Sequence, residues 1–217
     1  MYVTLDYGLL GSNTYIYWNE NDGADTANGE LHEACIIDAG CDASDIAPIC
    51  ASKHLNIKYI ILTHCHIDHI CYTDELCEEF AGAVTVCHTA DAEAFGSIQK
   101  NVSVLLGMPK NVKTPELKIS DGDTIIVGGK TLKFINTPGH TEGGVCILAE
   151  EDNIMFTGDT LFCNGFGRTD LGGNPQKLKE SITRLYEMDP VIKILPGHGE
   201  SSTIGEEAAW GVPSYLG

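Results

Sequence analysis

Seven side chains able to hold a metal ion stand at the ends of four apolar runs. The densest group is Thr63-His64-Cys65-His66-Ile67-Asp68-His69, which places His64, His66, Asp68 and His69 within six residues. It follows Tyr59-Ile60-Ile61-Leu62, a short, β-branched run that reads as a buried strand. At a strand end, positions i and i+2 face the same way, so His64 and His66 are aimed together. A turn into the helical pattern beyond Tyr72 then swings Asp68 and His69 to a neighbouring point. Imidazoles gathered with a carboxylate suit a divalent ion such as zinc, iron or manganese.

Three further runs end in the same manner. They are Phe134-Ile135-Asn136-Thr137-Pro138-Gly139-His140, Met155-Phe156-Thr157-Gly158-Asp159 and Ile192-Lys193-Ile194-Leu195-Pro196-Gly197-His198. A glycine beside the ligand-type residue permits backbone angles that other residues avoid, so a loop can bend tightly around an ion. One Pro-Gly-His alone marks a turn; four strand ends closing on His and Asp mark a site. His32, His54 and His88 lack this setting and read as surface or core histidines.

The elements that must position these residues can be traced in order. Val3–Tyr7 and Thr14–Trp18 read as strands about a turn at Gly11-Ser12-Asn13, followed by a long polar hairpin loop from Asn19 to Glu30. Cys35–Asp38 reads as a buried strand, Asp42–Asn56 as a helix and Thr73–Phe80 as a short acidic helix. Val84–Cys87 is a strand, and Asp91–Lys110 is mixed and partly helical. Beyond the turn at Asp121-Gly122-Asp123, strands are expected at Thr124–Val127, Thr131–Asn136, Val145–Leu148 and Asn153–Thr157. Asn174-Pro175 is a helix start, an N-cap followed by proline in the first turn. Leu178, Ile182 and Leu185 give that helix an apolar stripe. The last strand is expected at Val191–Leu195.

Composition narrows the function further. The 217-residue chain carries a formal charge of −18, which disfavours nucleic acid and anionic membrane as partners. No run reaches the ~18 apolar residues of a membrane span, and the start Met1–Asp6 lacks a basic, then apolar, export signal. The expectation is a soluble cytoplasmic protein. Nine cysteines, an odd number without a C-x-x-C pair, fit reduced thiols.

Taken together, the motifs resemble a metallo-β-lactamase-fold hydrolase of the glyoxalase II-like branch. The resemblance rests on the run at 63–69, Thr-Pro-Gly-His-Thr at 137–141 and Thr-Gly-Asp-Thr-Leu-Phe at 157–162. It continues through Gly-Arg-Thr-Asp-Leu at 167–171, Leu-Pro-Gly-His-Gly at 195–199 and Thr-Ile-Gly-Glu-Glu at 203–207. It implies an α/β fold, a four-layer αββα sandwich of two mixed β-sheets flanked by helices. It also implies two metal ions, zinc first, with iron or manganese as alternatives. His64, His66 and His140 would hold one, Asp68, His69 and His198 the other, and Asp159 would bridge them. The implied reaction is attack of a metal-bridging hydroxide on a small-molecule thioester of the hydroxyacylglutathione type, with Asp68 and Asp159 as catalytic carboxylates.

Two alternatives accompany this expectation: an iron-dependent persulfide dioxygenase on the same fold, and a non-catalytic metal-binding domain. The dioxygenase shares Gly-Arg-Thr-Asp but favours Pro-Ala-His-Asp where this chain has Pro196-Gly197-His198-Gly199. A β-lactamase is disfavoured, since those enzymes are exported. Two departures from the family stand out. Cys71-Tyr72 replaces the usual pair of glycines, and Cys71 reads as a packed thiol. Only 19 residues follow His198, too few for the helical region by which the longer members hold glutathione. One domain over 1–217 is therefore expected, and no glutathione contacts are carried over. Arg168, a rare cation nine residues past Asp159, is the candidate substrate residue, with an ion pair to Asp170 as the competing role.

Overall fold

The computed structural model describes residues 1–211. Two six-stranded sheets face each other. The first takes β1 (Tyr2–Leu5), β2 (Thr14–Trp18), β3 (His32–Ile37), β4 (Leu55–Ile61), β5 (Val84–His88) and β6 (Leu117–Ile119) in sequence order. β1, β2 and β3 pair antiparallel, and β3 to β6 pair parallel. The second sheet contains β7 (Thr124–Val127), β8 (Lys130–Asn136), β9 (Val145–Ala149) and β10 (Ile154–Gly158) in that order. Beyond a two-stranded ribbon, β11 (Leu161–Phe162) and β12 (Gly165–Phe166), it is completed by β13 (Lys193–Pro196) and β14 (Ser202–Thr203). β10 and β13 are parallel and the remaining pairs antiparallel.

Side-chain alternation explains why helices cover both outer faces. On β2, Tyr15 and Tyr17 point into the layer between the sheets, while Ile16 and Trp18 point outward. Both faces are apolar, so both must be buried. The inner layer holds Ile37, Ile61, Phe134, Ile147, Phe156 and Leu195, and Tyr15 meets Phe156 edge to face at 5.2 Å between ring centroids. Each such side chain contributes on the order of 1.5–3 kcal/mol by leaving water. Outside the first sheet pack α1 (Ala43–Ser52), α2 (Ile67–Ile70) and α3 (Thr73–Glu79), through Ile46, Ile70 and Leu76. Outside the second pack α4 (Pro175–Tyr186) and α5 (Ile204–Trp210), through Leu178, Ile182, Leu185 and Ile204. This is the expected αββα sandwich. Asn174 caps α4 by accepting from Lys177 N–H at 3.0 Å, with Pro175 in the first turn.

Several expected boundaries move. The helix expected over Asp42–Asn56 ends at Ser52, and Leu55 opens β4 after His54 takes a left-handed backbone, φ 55°. β3 begins three residues early, at His32. The partly helical reading of Asp91–Lys110 fails: the segment is a series of hydrogen-bonded turns. The reason is local. Buried Asn101 donates to the carbonyls of Phe95 and Lys110, and Ser103 to those of Ile98 and Lys110, capturing backbone acceptors that a helix needs. β6, β14 and α5 are elements that the sequence reading did not place. No helix among the described residues is long and apolar enough to cross a membrane.

Candidate metal centre

The C-terminal ends of β4, β8, β10 and β13 open on one rim of the sandwich. From them come His64 and His66, then His140, Asp159 and His198 in turn. Asp68 and His69 arrive on α2, which starts at Ile67, earlier than the helical pattern expected beyond Tyr72. The resulting cluster contains three sets of side chains whose ligand atoms lie within 4.8 Å of one another: His64–His66–His140, His64–His69–Asp159 and Asp68–His69–His198. All seven expected residues are therefore brought together. His32, His54 and His88 stay outside these sets, as expected.

Hydrogen bonds on the far side of four of the five rings set their tautomers. His140 Nδ1 lies 2.6 Å from the Arg168 carbonyl, which only accepts, so the proton is on Nδ1. Thr63 Oγ1 donates to Asp38 at 2.9 Å and so receives the Nδ1–H of His64 at 3.1 Å. His69 donates Nδ1–H to Asp38 at 2.9 Å, and His198 donates to the Gly11 carbonyl at 3.2 Å. Four imidazoles thus turn Nε2 toward one another. The Nε2 atoms of His64 and His140, and Oδ1 of Asp159, are buried without any hydrogen-bond partner. Buried polar atoms without partners are costly, and converging lone pairs of imidazole and carboxylate fit a cation.

Electrostatics divides the cluster in two. Burial, aided by the neighbouring imidazoles, pushes His64 well below its ordinary value and His66 down to about 3. Both rings are therefore neutral, each with one nitrogen lone pair available. Burial acts against the charged form of His69 as well, but Asp159, Asp68 and Asp38 outweigh it and raise His69 to about 10. Burial would raise Asp68, yet His69 and His198 hold it below the usual carboxylate range. His198 Nε2 stands 3.2 Å from Asp68 Oδ2, and His69 Nε2 stands 3.5 Å from the same oxygen. This half therefore favours a positive charge, which a proton or a metal cation can supply.

Close packing fixes these positions. A Cβ on Gly197 would collide with Asp159 Oδ1 and come within 2.8 Å of His69 Cε1, so glycine is required there. Ser12 donates to the Asp68 carbonyl at 2.8 Å and pairs as an isolated bridge with His198. The turn at Gly11-Ser12-Asn13, read from sequence as a mere connection, thus steadies one half of the cluster. Asp38 was likewise overlooked as a site residue. It closes β3 at φ 61° and accepts from Thr63 N–H, Thr63 Oγ1–H and His69. Its sequence signal was available: an acid directly after the apolar run Cys35-Ile36-Ile37. Cys71 lies in the core with its thiol 3.6 Å from the Ala39 carbonyl, and burial pushes its pKa up to about 12. It is a packed thiol, as expected. All nine cysteines are free.

A family model described as Metallo-beta-lactamase superfamily matches residues 7–198. The chain belongs to that superfamily. Within it, the chain is 32% identical over 178 residues to hydroxyacylglutathione hydrolase GloC of Haemophilus influenzae, covering 80% of this chain and 84% of the other. The crystal structure of BLEG-1 B3 metallo-beta-lactamase superposes with a TM-score of 0.86 at 28% identity, covering 100% of this chain and 99% of that one. TTHA1623 in a di-iron-bound form gives a TM-score of 0.79 at 26% identity, with 95% and 96% covered. These superfamily likenesses agree with a hydrolase-type, metal-binding chain.

Arg168 reaches the cluster through its backbone. Its guanidinium is 62% exposed and forks onto Asp170, with Nε 2.6 Å from Oδ1. The carbonyl that orients His140 needs no particular side chain. Arg168→Lys is accordingly expected to leave metal content per chain and the Michaelis constant unchanged. Metal analysis and steady-state kinetics check this; a raised Michaelis constant with intact metal content would place the guanidinium on substrate.

Proposed function

We propose that this chain is a metal-dependent hydrolase of thioesters of the hydroxyacylglutathione type, working with two divalent ions. His64, His66 and His140 would hold one ion and Asp68, His69 and His198 the other, with Asp159 available to both. The observation that carries this reading is the convergence of buried lone pairs on His64, His140 and Asp159 that no hydrogen bond satisfies. Asp159 faces both halves, with Oδ1 3.4 Å from His69 Nε2 and Oδ2 3.4 Å from His140 Nε2. Likeness to GloC supports the substrate class, and likeness to a di-iron protein supports two ions and keeps iron beside zinc and manganese.

Bound in such a site, divalent ions acidify water and polarise an acyl carbonyl. The side chains supply the geometry. Asp68, 12% exposed, accepts a hydrogen bond from the attacking water and orients it toward the acyl carbon. His198 is the more open imidazole, 28% exposed, and marks one approach to the site. On the other side, a cleft of about 280 Å³ is lined by His66, His140, Ala94, Lys100 and Leu171 and receives the acyl end. The thiolate leaves toward solvent and is protonated there.

The test is a panel on purified chain loaded with zinc, manganese or iron. It comprises a lactoyl thioester of glutathione, a persulfide monitored by oxygen uptake, and a β-lactam. Thioester cleavage that chelator abolishes is expected. Oxygen uptake with the persulfide, or β-lactam opening, without thioester cleavage would replace this reading.

A further inference from the structure

Asp91 lies in the turn segment after β5, 3% exposed. Its Oδ2 accepts from Cys65 N–H at 3.1 Å and from the Thr141 hydroxyl at 2.7 Å, and its Oδ1 accepts from Gly143 N–H at 2.7 Å. Cys65 separates His64 from His66, and Thr141 follows His140. One buried carboxylate therefore grips both loops that present the three-imidazole set. Those loops leave different sheets, one after β4 and one after β8, and besides the Asp91 ties Val145 N–H donates to the Thr63 carbonyl at 3.0 Å. The approach is tight: a Cβ on Gly143 would come within 2.6 Å of Asp91 N and 2.7 Å of its carboxylate, which makes glycine necessary. Holding a carboxylate in the interior on neutral donors alone is expensive, and its charge favours a cation among the adjacent imidazoles.

We propose that Asp91 is a positioning residue that pre-assembles His64, His66 and His140 for a cation by tying their two loops together. The inference rests on the metal-centre reading above. Asp91→Asn keeps the shape but offers one acceptor oxygen, so either the Cys65–Thr141 side or Gly143 meets an amide N–H₂ instead of an acceptor. Zinc affinity of the full chain, measured by competition with a chromophoric chelator, should fall roughly 10- to 100-fold. The visible spectrum of the cobalt-loaded variant should shift with it. Thr141→Val should weaken zinc binding in the same direction, and Thr141→Ser, which retains the hydroxyl, should restore it. The double variant Asp91→Asn/Thr141→Val should lose less than the product of the two single losses, since both cut one tie.

Undiminished zinc affinity and an unchanged cobalt spectrum in Asp91→Asn would overturn the proposal, even with a lowered melting temperature. So would losses that multiply fully in the double variant. If the unaltered chain takes up no zinc, the metal-centre reading falls and this inference with it. If the unaltered chain binds tightly and Asp91→Asn equally so, this inference alone falls.

Discussion

Asp159→Ala is expected to leave at most one tightly held metal ion per chain and to remove about 4 kcal/mol of transition-state stabilisation, roughly a thousandfold in turnover. Asp159 is the carboxylate whose two oxygens face opposite halves of the cluster, toward His69 and toward His140. Removing it takes a ligand from both ions at once and leaves their mutual repulsion without the intervening negative charge. A histidine such as His66 serves only one half, so its loss should be milder. Asp159→Asn separates charge from volume: it fills the space beside Gly197 but keeps no anion between the halves. Elemental analysis of the purified variants, alongside thioester turnover, reads both effects. A variant with two ions and ordinary turnover would remove Asp159 from the bridging position.

The ligands were legible because each follows an apolar run that can only be a buried strand, and glycine marks three of those junctions. Layer architecture was legible for a similar reason, since β2, β9 and β10 are apolar on both faces. What escaped was whatever depends on distant partners. Asp91 looks like any acid in a polar stretch, and its role exists only because Cys65 and Thr141, 26 and 50 residues away, donate to it. The turns of 91–110 escaped because the acceptors captured by Asn101 and Ser103 outweigh a weak helical pattern. β6 is three residues long with two of them exposed, so it shows no apolar run; its strand character comes from pairing with β5. Arg168 shows the converse. Its charge drew attention in a chain of net −18, while the group it places against His140 is a carbonyl that any residue could supply.

Asp38→Asn is expected to weaken metal binding roughly 10- to 100-fold while leaving the fold intact. Asp38 occupies the left-handed region at φ 61°, where asparagine is among the few tolerated residues, so the backbone need not move. Three donors converge on its carboxylate: Thr63 N–H at 2.8 Å on Oδ1, with Thr63 Oγ1–H and His69 Nδ1–H both at 2.9 Å on Oδ2. An asparagine has one oxygen for these two directions. If it serves Thr63 N–H, an amide N–H₂ meets His69 and the Thr63 hydroxyl, and the Nδ1–H tautomer that exposes His69 Nε2 loses its anchor. If it serves His69, Thr63 N–H is left buried without an acceptor, at a cost of about 1–3 kcal/mol. In the first case His64 is affected too, because its ring is held by the hydroxyl that Asp38 orients. Metal affinity by chelator competition and the melting temperature of the metal-free chain check the two consequences separately. Asp38→Asn with the affinity of the unaltered chain would mean that packing around the fully buried His69 ring fixes its tautomer without the carboxylate behind it.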